Sequence, residues 1–186
     1  MPNHLTNKLT IQAKGDELKK IKETILSKDE KGKLCFDFDR LIPMPKILDR
    51  TSPFRAETAE EKAMNKKQWE AYRQSLIKKF GADTWYDWRL THWGTKWNSY
   101  DNQIYDNILM FLTAWSPPKP VIQKLSELFP KTKFDLHYID EGWNFAGQSI
   151  YQNGVLIEEH PIECDRENEE FCQLYEEMIG EMPDEE

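Results

Sequence analysis

Two hydrophobic repeats alternate along the chain, the two-residue repeat of strands and the three- to four-residue repeat of helices. Leu9 and Ile11 share one face of the first predicted strand, and Leu18 and Ile21 begin the apolar face of the helix that follows. Six segments with these repeats form the predicted frame: strands over 5–13, 34–41, 104–115 and 134–139, and helices over 15–27 and 116–130. Their order, strand–helix–strand twice over, predicts an α+β, ferredoxin-like (split βαβ) sandwich.

Three further elements extend this frame. A long helix rich in Lys and Glu is predicted over 56–80, inside a helical insertion at about 46–84. The Asn-Gly dipeptide at 153–154 lies between two alternating runs, which predicts an extra β-hairpin. An apolar stripe at helical spacing predicts a C-terminal helix over 166–179. From the length of the chain, we predict that all of these elements belong to a single domain, 1–186.

Four of the seven tryptophans lie in one fourteen-residue segment, WYDWRLTHWGTKWN. A tryptophan side chain buries about 200 Å² and carries an N–H that needs a partner, so such a segment either anchors a loop in the core or lines a recognition surface. Trp85 and Trp88 are three residues apart after a predicted helix end, and we expect them to pack on one helical turn. For Trp93 and Trp97, core and surface positions are equally compatible with the sequence.

Loops of unusual composition are predicted to meet at one edge of the sheet. We expect the first and third strands of the frame to run in one direction and the second and fourth in the other. This arrangement brings together the segments 2–4, 42–45, 93–101 and 140–142. Polar and aromatic groups that loops present on a rigid scaffold are characteristic of functional sites. The predicted binding residues are Asn3, His4, Arg89, Trp93, Lys96, Trp97, Asn98, Asp101, Asp140 and Glu141.

Charge is distributed unevenly along the chain. Residues 1–157 contain 24 basic and 20 acidic residues, whereas residues 158–186 contain 13 acidic residues and one basic residue, Arg166. The low isoelectric point therefore reports the acidic C-terminal segment, about 158–186, rather than the whole surface. Three interpretations of this segment remain open: a solvated acidic face, an intramolecular cover for the basic part of the chain, or a mimic of nucleic-acid phosphate.

Composition excludes several classes of protein. Hydrophobic residues make up 39% of the chain, which is too many for a disordered protein. No apolar run approaches the roughly 20 residues of a membrane span, and the N-terminus lacks the layout of a secretory signal. Cys35, Cys164 and Cys172 have no metal-binding spacing, so we predict a cytoplasmic protein with free thiols and without a metal or cofactor.

Five segments carry a resemblance to a known family: MPNHLTNKLTI, FDFDRLIPMP, WYDWRLTHWGTKWNSYD, FLTAWSPPKPVIQKLSELFP and YIDEGWNFAG. Over most of residues 1–147 the chain resembles an uncharacterised family encoded largely by phages and plasmids, which has a YubB-type ferredoxin-like domain and is described as Api-like. The WGTKWN and TAWSPP stretches are the most specific. The resemblance implies a ferredoxin-like fold and a mobile-element origin, and it implies no activity, substrate or catalytic residue.

Three functions are compatible with these features. The favoured one is a non-enzymatic interaction module that binds a host protein through the Trp-rich edge and modulates host defence or nucleic-acid machinery, because Trp, Tyr and Arg dominate interface energetics. The alternative is nucleic-acid binding, with Trp93 and Trp97 stacking on bases and Arg89 and Lys96 contacting phosphates. The second alternative is a hydrolytic or metal-dependent enzyme at the same edge, although no HExxH, GxSxG, Walker or dinucleotide motif occurs. The sequence does not determine the oligomeric state.

Overall fold

The structure, a computed structural model, describes residues 3–50 and 65–182. Strands and helices alternate along the chain, with helices inserted in the middle and a hairpin and a helix at the end. The strands are β1 (His4–Ile11), β2 (Leu26–Lys28), β3 (Leu34–Phe36), β4 (Tyr100–Ile104), β5 (Ile108–Ala114), β6 (Phe134–Asp140), β7 (Ala146–Gln152) and β8 (Val155–Ile162). The helices are α1 (Gly15–Ile25), α2 (Lys66–Phe80), α3 (Trp85–His92), α4 (Lys119–Leu128) and α5 (Glu169–Met178), with short 3-10 helices at Phe38–Arg40 and Leu48–Arg50.

A six-stranded antiparallel sheet in the order β4-β5-β1-β6-β7-β8 forms the centre of the molecule. β1 lies between β5 and β6, where Leu5 is opposite Thr113 on one side and Asp140 on the other. β2 and β3 form a separate two-stranded sheet. The predicted α+β class is confirmed, and the predicted hairpin corresponds to β7 and β8.

The first face of the sheet carries the main core. Leu5, Leu9 and Ile11 alternate along β1 and are fully buried together with Ile21 of α1 and Leu125 of α4. Their neighbours in β1 point to the opposite face, as the two-residue period of a strand requires. α1 and α4 therefore cover one face of the sheet, which is the sandwich that the hydrophobic repeats predict.

The second face carries α5, the helix of the acidic C-terminal segment. Phe171 and Leu174 of α5 pack with Ile139 and Ala146 of the sheet in a second, smaller core. In its described part the acidic segment is therefore not a free tail, because it contributes the end of β8 and the whole of α5. Removing the segment would remove an edge strand and the cover of one sheet face.

Two polar contacts join the acidic helix to the sheet. Lys8 of β1 forms an ion pair with Glu177, and the His160 imidazole of β8 lies 3.1 Å from the Glu170 carboxylate. The acidic side chains between residues 158 and 181 are exposed. The apolar stripe of α5 therefore packs on the sheet, and the acidic side chains of the segment face solvent.

The predicted strand 34–41 is wrong in extent, because it ends at Phe36. There the Asp37 carboxylate accepts a hydrogen bond from the Asp39 N–H, which caps the first 3-10 helix and turns the chain out of the extended conformation. β3 pairs with β2 and adjoins the main sheet through a side chain, since the Phe36 N–H donates to the Asn102 amide oxygen at 3.0 Å.

The predicted strand 104–115 begins too early, because it corresponds to β5, which starts at Ile108, whereas Ile104 ends a separate strand, β4. The chain reverses between them, and the Tyr105 N–H donates to the Ile108 carbonyl at 2.9 Å to close the turn. β4 pairs with β5 at the edge of the main sheet, whereas segment 34–41 contributes β3 to the separate two-stranded sheet. An edge strand that forms a tight turn with its neighbour pairs at a lower entropic cost than a distant segment does.

The predicted strand directions are also wrong, because β1 and β5 run antiparallel. The start of β1 therefore lies beside the ends of β5 and β6: His4 is opposite Ala114, and Leu5 is opposite Asp140. Tyr100, at the start of β4, is opposite Leu112 near the end of β5. The Trp-rich segment still reaches this edge, but it does so because it precedes β4.

The middle helix α2 lies mostly in solvent. It begins with a capping box in which the Asn65 side chain accepts from the Gln68 N–H and the Gln68 side chain accepts from the Asn65 N–H. Of its fifteen residues, Leu76 is the one that is buried. The first part of the predicted helix, residues 56–64, lies outside the described residues. Within 3–50 and 65–182, none of the helices combines the length and apolar character that crossing a membrane requires.

A histidine beneath α5 links the stability of this face to pH. Burial lowers the pKa of His137 in β6, and the charge of Lys8 acts in the same direction, against the raising effects of Asp135, Glu177 and Glu170. Its Nδ1 atom is 3.3 Å from the Asp135 carboxylate, but the geometry is not that of a hydrogen bond. The docked helix therefore favours the neutral imidazole.

We predict that acidification from about pH 7.5 to about pH 5.5 weakens the docking of α5. Because the folded pKa of His137 lies below its ordinary value of 6.5, its contribution to stability is complete above that value and is lost as the pH falls below it. Amide hydrogen exchange in α5 measures the effect, and His137→Gln, which cannot titrate, should lose less protection over the same range. Equal losses in the two proteins would contradict the role of His137.

Candidate functional site

The start of β1 is fixed between the ends of β5 and β6 by backbone contacts. The His4 N–H donates to the Glu141 carboxylate at 2.8 Å, and the Glu141 N–H donates to the His4 carbonyl at 3.0 Å. On the other side, the Trp115 N–H donates to the Asn3 carbonyl at 3.1 Å. Three predicted binding residues, Asn3, His4 and Glu141, therefore lie in one neighbourhood beside Trp115.

Tyr100 joins the start of β4 to this neighbourhood. Its hydroxyl lies 2.7 Å from His4 Nδ1 and donates to the Thr113 carbonyl at 3.2 Å. Both hydrogen bonds form together when His4 carries a proton on Nδ1 and donates it to the hydroxyl. Burial raises the pKa of Tyr100 to about 12, and the charges of Glu141 and Asp101 add to the effect. The hydroxyl therefore stays neutral at physiological pH.

A lysine surrounded by aromatic rings occupies the same edge. Lys96 Nζ lies 4.7 Å from the ring centroid of Trp115, 4.9 Å from that of Trp97 and 5.9 Å from that of Tyr86. Trp97 also packs edge-on against Tyr100, with centroids 6.1 Å apart. We call Tyr86, Lys96, Trp97, Tyr100 and Trp115 the aromatic surface. Its rings are half-buried or exposed, and Trp115 is 38% exposed.

Unusual backbone conformations hold this surface in position. Asp101 and Trp115 have positive φ angles of 52° and 72°. For residues other than glycine such a conformation costs about 1–3 kcal/mol and persists only where the surroundings over-determine it. At Trp115 the backbone is fixed by its own N–H bond and by the Thr113 hydroxyl, which donates to the Ser116 carbonyl at 2.9 Å. The Trp115 ring is thereby directed towards Lys96.

Trp93 and Arg89 face the core instead. Trp93 is 2% exposed, and its indole N–H donates to the Ile42 carbonyl at 2.9 Å. The Arg89 guanidinium lies between the rings of Trp85 and Trp93, 5.0 and 4.9 Å from their centroids. Burial lowers the pKa of Arg89, and its Nε atom has no hydrogen-bond partner. Trp93 is buried and the half-buried Arg89 guanidinium is stacked on two rings of the protein itself, so we leave both out of the binding surface.

Asn98 connects the Trp-rich segment to the turn after β3. Its amide oxygen accepts from the N–H groups of Phe38 and Ser99, each at 2.9 Å, and its amide nitrogen donates to the Asp37 carboxylate at 2.7 Å. All three contacts are internal. Asn98 therefore positions the start of β4 rather than extending into solvent.

Asp140 has a similar structural role in the loop after β6. It is 2% exposed, and one oxygen of its carboxylate accepts from the N–H groups of Gly142 and Asn144 and from the Asn144 side chain, at 3.1, 3.3 and 2.5 Å. The carboxylate is therefore engaged by its own loop. Over the part of the chain that the structure describes, no group of three or more His, Cys, Asp and Glu side chains is placed to hold a metal ion.

The structure divides the predicted binding residues into two groups. Those at the outer edge are Asn3, His4, Lys96, Trp97, Asp101 and Glu141. Those engaged by internal contacts are Arg89, Trp93, Asn98 and Asp140. Sequence reasoning missed Tyr86 and Trp115 as surface residues. Their positions in the sequence could have indicated them, because Tyr86 lies in WYDWRL and Trp115 in TAWSPP, within two of the segments that carry the family resemblance.

Residues 92–178 match the model of a family described as "ferredoxin-like domain in Api92-like protein". The matched segment runs from the end of α3 to the end of α5 and contains β4 to β8, which confirms the predicted ferredoxin-like fold class. Among solved structures, the crystal structure of protein api92 from Yersinia pseudotuberculosis is similar, with a TM-score of 0.44 and 10% identity over 87% of this chain and 98% of that chain. No curated protein matches the chain.

The turn at Gly94, between Trp93 and the aromatic surface, requires glycine. Its φ is +78°, and a Cβ there would lie 2.8 Å from Pro120 Cδ and 3.3 Å from the Pro117 carbonyl oxygen. We predict that Gly94→Ala lowers the free energy of unfolding by about 2–4 kcal/mol, since backbone strain and overpacking add. Gly32→Ala, at φ +77° with no atom within 4 Å, is the matched control and should cost about 1 kcal/mol. Equal losses in denaturant unfolding would show that the contact with Pro120 is unimportant.

We predict that Asn98→Ala lowers the free energy of unfolding by about 2 kcal/mol, because the Phe38 N–H and the Asp37 carboxylate lose their partner. The near-ultraviolet circular dichroism of the tryptophans should change as well, since the start of β4 also positions Trp97. Gln103→Ala, an exposed site in β4, serves as the control and should stay within about 0.5 kcal/mol of the parent protein. An Asn98→Ala protein as stable as the control would contradict the bridging role.

Proposed function

We propose that this protein is a non-enzymatic interaction module of mobile-element origin, which binds a host protein in the cytoplasm through the aromatic surface. The observation that carries the proposal is the exposure of Trp115 and its neighbours in fixed positions, held by Lys96 and by the strained backbone. Rigid Trp and Tyr side chains lose little conformational entropy when a partner covers them, and they are the residues that most often dominate protein interfaces.

The charges around the aromatic surface indicate the chemistry of the partner. Asp101 and Glu141 are exposed at this edge, and both raise the pKa of Tyr100. A partner that presents apolar and cationic side chains is complementary to such a surface. If the host protein needs the same cationic surface for its own function, binding would block that surface. Modulation of host defence or of nucleic-acid machinery would then follow.

Nucleic-acid binding is less well supported. Of the residues on which that alternative depended, Trp93 is buried, and the half-buried Arg89 lies against the rings of Trp85 and Trp93. On the second sheet face the central strands present residues such as Thr6 and Met110 rather than the rings on which bases stack, and α5 covers part of that face. The carboxylates at the edge would also repel phosphate.

The arrangement of polar groups gives no support to the enzyme alternative. His4 is hydrogen-bonded to Tyr100, and the Asp140 carboxylate is engaged by its own loop. A general base needs a lone pair directed at a substrate position in a cleft. At this edge His4 and Asp140 instead form internal contacts.

Affinity capture from the host cell with matched variants tests the proposal. We predict that the parent protein retains a host protein and that Trp97→Ala or Trp115→Gly weakens its binding by about 30-fold, the loss typical of a central interface aromatic. Tyr105→Ala is the control, because Tyr105 is 53% exposed at the opposite end of β4 and should be dispensable. Glycine at 115 also accepts the positive φ, so loss of the ring is separated from backbone strain.

Two outcomes would contradict the proposal. If Trp97→Ala and Tyr105→Ala retain the same partner equally, the aromatic surface is not the binding site. If nuclease treatment releases all retained material, the partner is nucleic acid and the alternative function is correct. Near-ultraviolet circular dichroism of each variant confirms that the fold is intact before binding is compared.

A further inference from the structure

We propose that the rings of Tyr86, Trp97 and Trp115 form a pocket for an arginine side chain of the partner, and that Lys96 occupies this pocket in the free protein. The inference rests on the proposed function, because it names the group by which the partner is recognised. It makes a separate claim, however, since the pocket can be tested with a small cation in the absence of any partner.

The position of the Lys96 ammonium identifies the pocket. It lies within 6 Å of the centroids of the Trp97, Trp115 and Tyr86 rings, the range in which the negative face of an aromatic ring attracts a cation. Among the described residues Lys96 forms no ion pair, although Asp101 and Glu141 lie at the same edge. The rings therefore hold the ammonium, which shows that their arrangement selects positive charge.

Lys96 can leave the pocket while its backbone stays in place. The preceding residue, Thr95, is fully buried, and its hydroxyl donates to the Ala114 carbonyl at 2.8 Å and accepts from the Ala114 N–H at 3.2 Å. This contact fixes the loop, whereas the four-carbon side chain of Lys96 rotates freely once the ammonium moves into water. Lys96 is thus a tethered competitor for any cation that approaches the rings.

Arginine is the cation that fits best. Its guanidinium is planar, stacks on aromatic faces and is more weakly hydrated than an ammonium, so it gains more from ring contacts than Lys96 loses on leaving. Guanidinium N–H groups also form paired hydrogen bonds with carboxylates. Asp101 and Glu141 are exposed carboxylates near Tyr100, which packs against Trp97. An anionic ligand has no comparable partner at this edge once Lys96 is turned towards the rings.

A three-protein series with N-acetyl-arginine amide as the probe tests the pocket. Binding is followed by the NMR shifts of the tryptophan indole N–H groups. We expect Lys96→Met to bind the probe at least about five-fold more tightly than the parent protein, because the tethered competitor is gone. Lys96→Arg should bind it more weakly than the parent, because a tethered guanidinium fills the pocket. Adding Trp97→Ala to Lys96→Met should abolish the gain.

If the pocket exists, the affinity for the arginine probe falls in the order Lys96→Met, parent, Lys96→Arg. A merely structural role for Lys96 does not predict this order. Equal affinities in the three proteins would overturn the proposal, as would a gain in Lys96→Met that survives the loss of Trp97. N-acetyl-lysine amide should bind Lys96→Met more weakly than the arginine probe does, and the reverse order would overturn the choice of arginine.

The failure of this inference is distinguishable from failure of the proposed function. If host-protein capture depends on Trp97 while the probe binds none of the Lys96 variants, the interaction module stands and the arginine pocket does not. If the probe series behaves as expected while capture ignores Trp97, the pocket exists and the proposed host interaction is wrong.

Discussion

The antiparallel pairing of β1 with β5 and β6 is the constraint on which the rest of the structure depends. β1 is the central strand, and its buried residues contact both α1 and α4, so the main core forms around it. The same pairing places His4 at the edge where β5 and β6 end and where β4 begins. The backbone bonds between His4 and Glu141 and between Asn3 and Trp115 then close the edge. Because β1 lies between β5 and β6, the start of the chain lies beside Trp115 and Glu141, which are more than a hundred residues away in sequence.

The division of the Trp-rich segment follows from this edge. Before Gly94, Trp88 of α3 and Trp93 just after it turn inwards and pack edge-on at 5.9 Å in the core. Residues after Gly94 approach β4 and turn outwards around Lys96. Both halves place a half-buried cation against aromatic rings. Arg89 lies over the rings of Trp85 and Trp93, and Lys96 lies over those of Trp97 and Trp115.

The acidic segment illustrates how packing and charge divide a single helix. The apolar stripe of α5, which includes Phe171 and Met178, forms a second core on the face of the sheet opposite α1 and α4. The carboxylates on its other side remain in water, where their mutual repulsion is screened and costs little. A strongly acidic composition is thus compatible with a docked helix, because burial of the stripe is independent of the charges on the exposed side.

The sequence by itself determined the α+β class, the positions of most helices and the hairpin, and the inward turn of Trp88. These depend on local repeats of two or of three to four residues, on Pro and Gly, and on caps, all of which act within a few positions. Only the tertiary structure decided the strand directions, the division of β4 from β5, and the opposite fates of Trp93 and Trp97, which are the same residue type four positions apart. It also decided the exposure of Trp115, whose positive φ depends on a hydrogen bond to Asn3 at the far end of the chain. Such features arise from contacts between distant segments, and no local pattern encodes them.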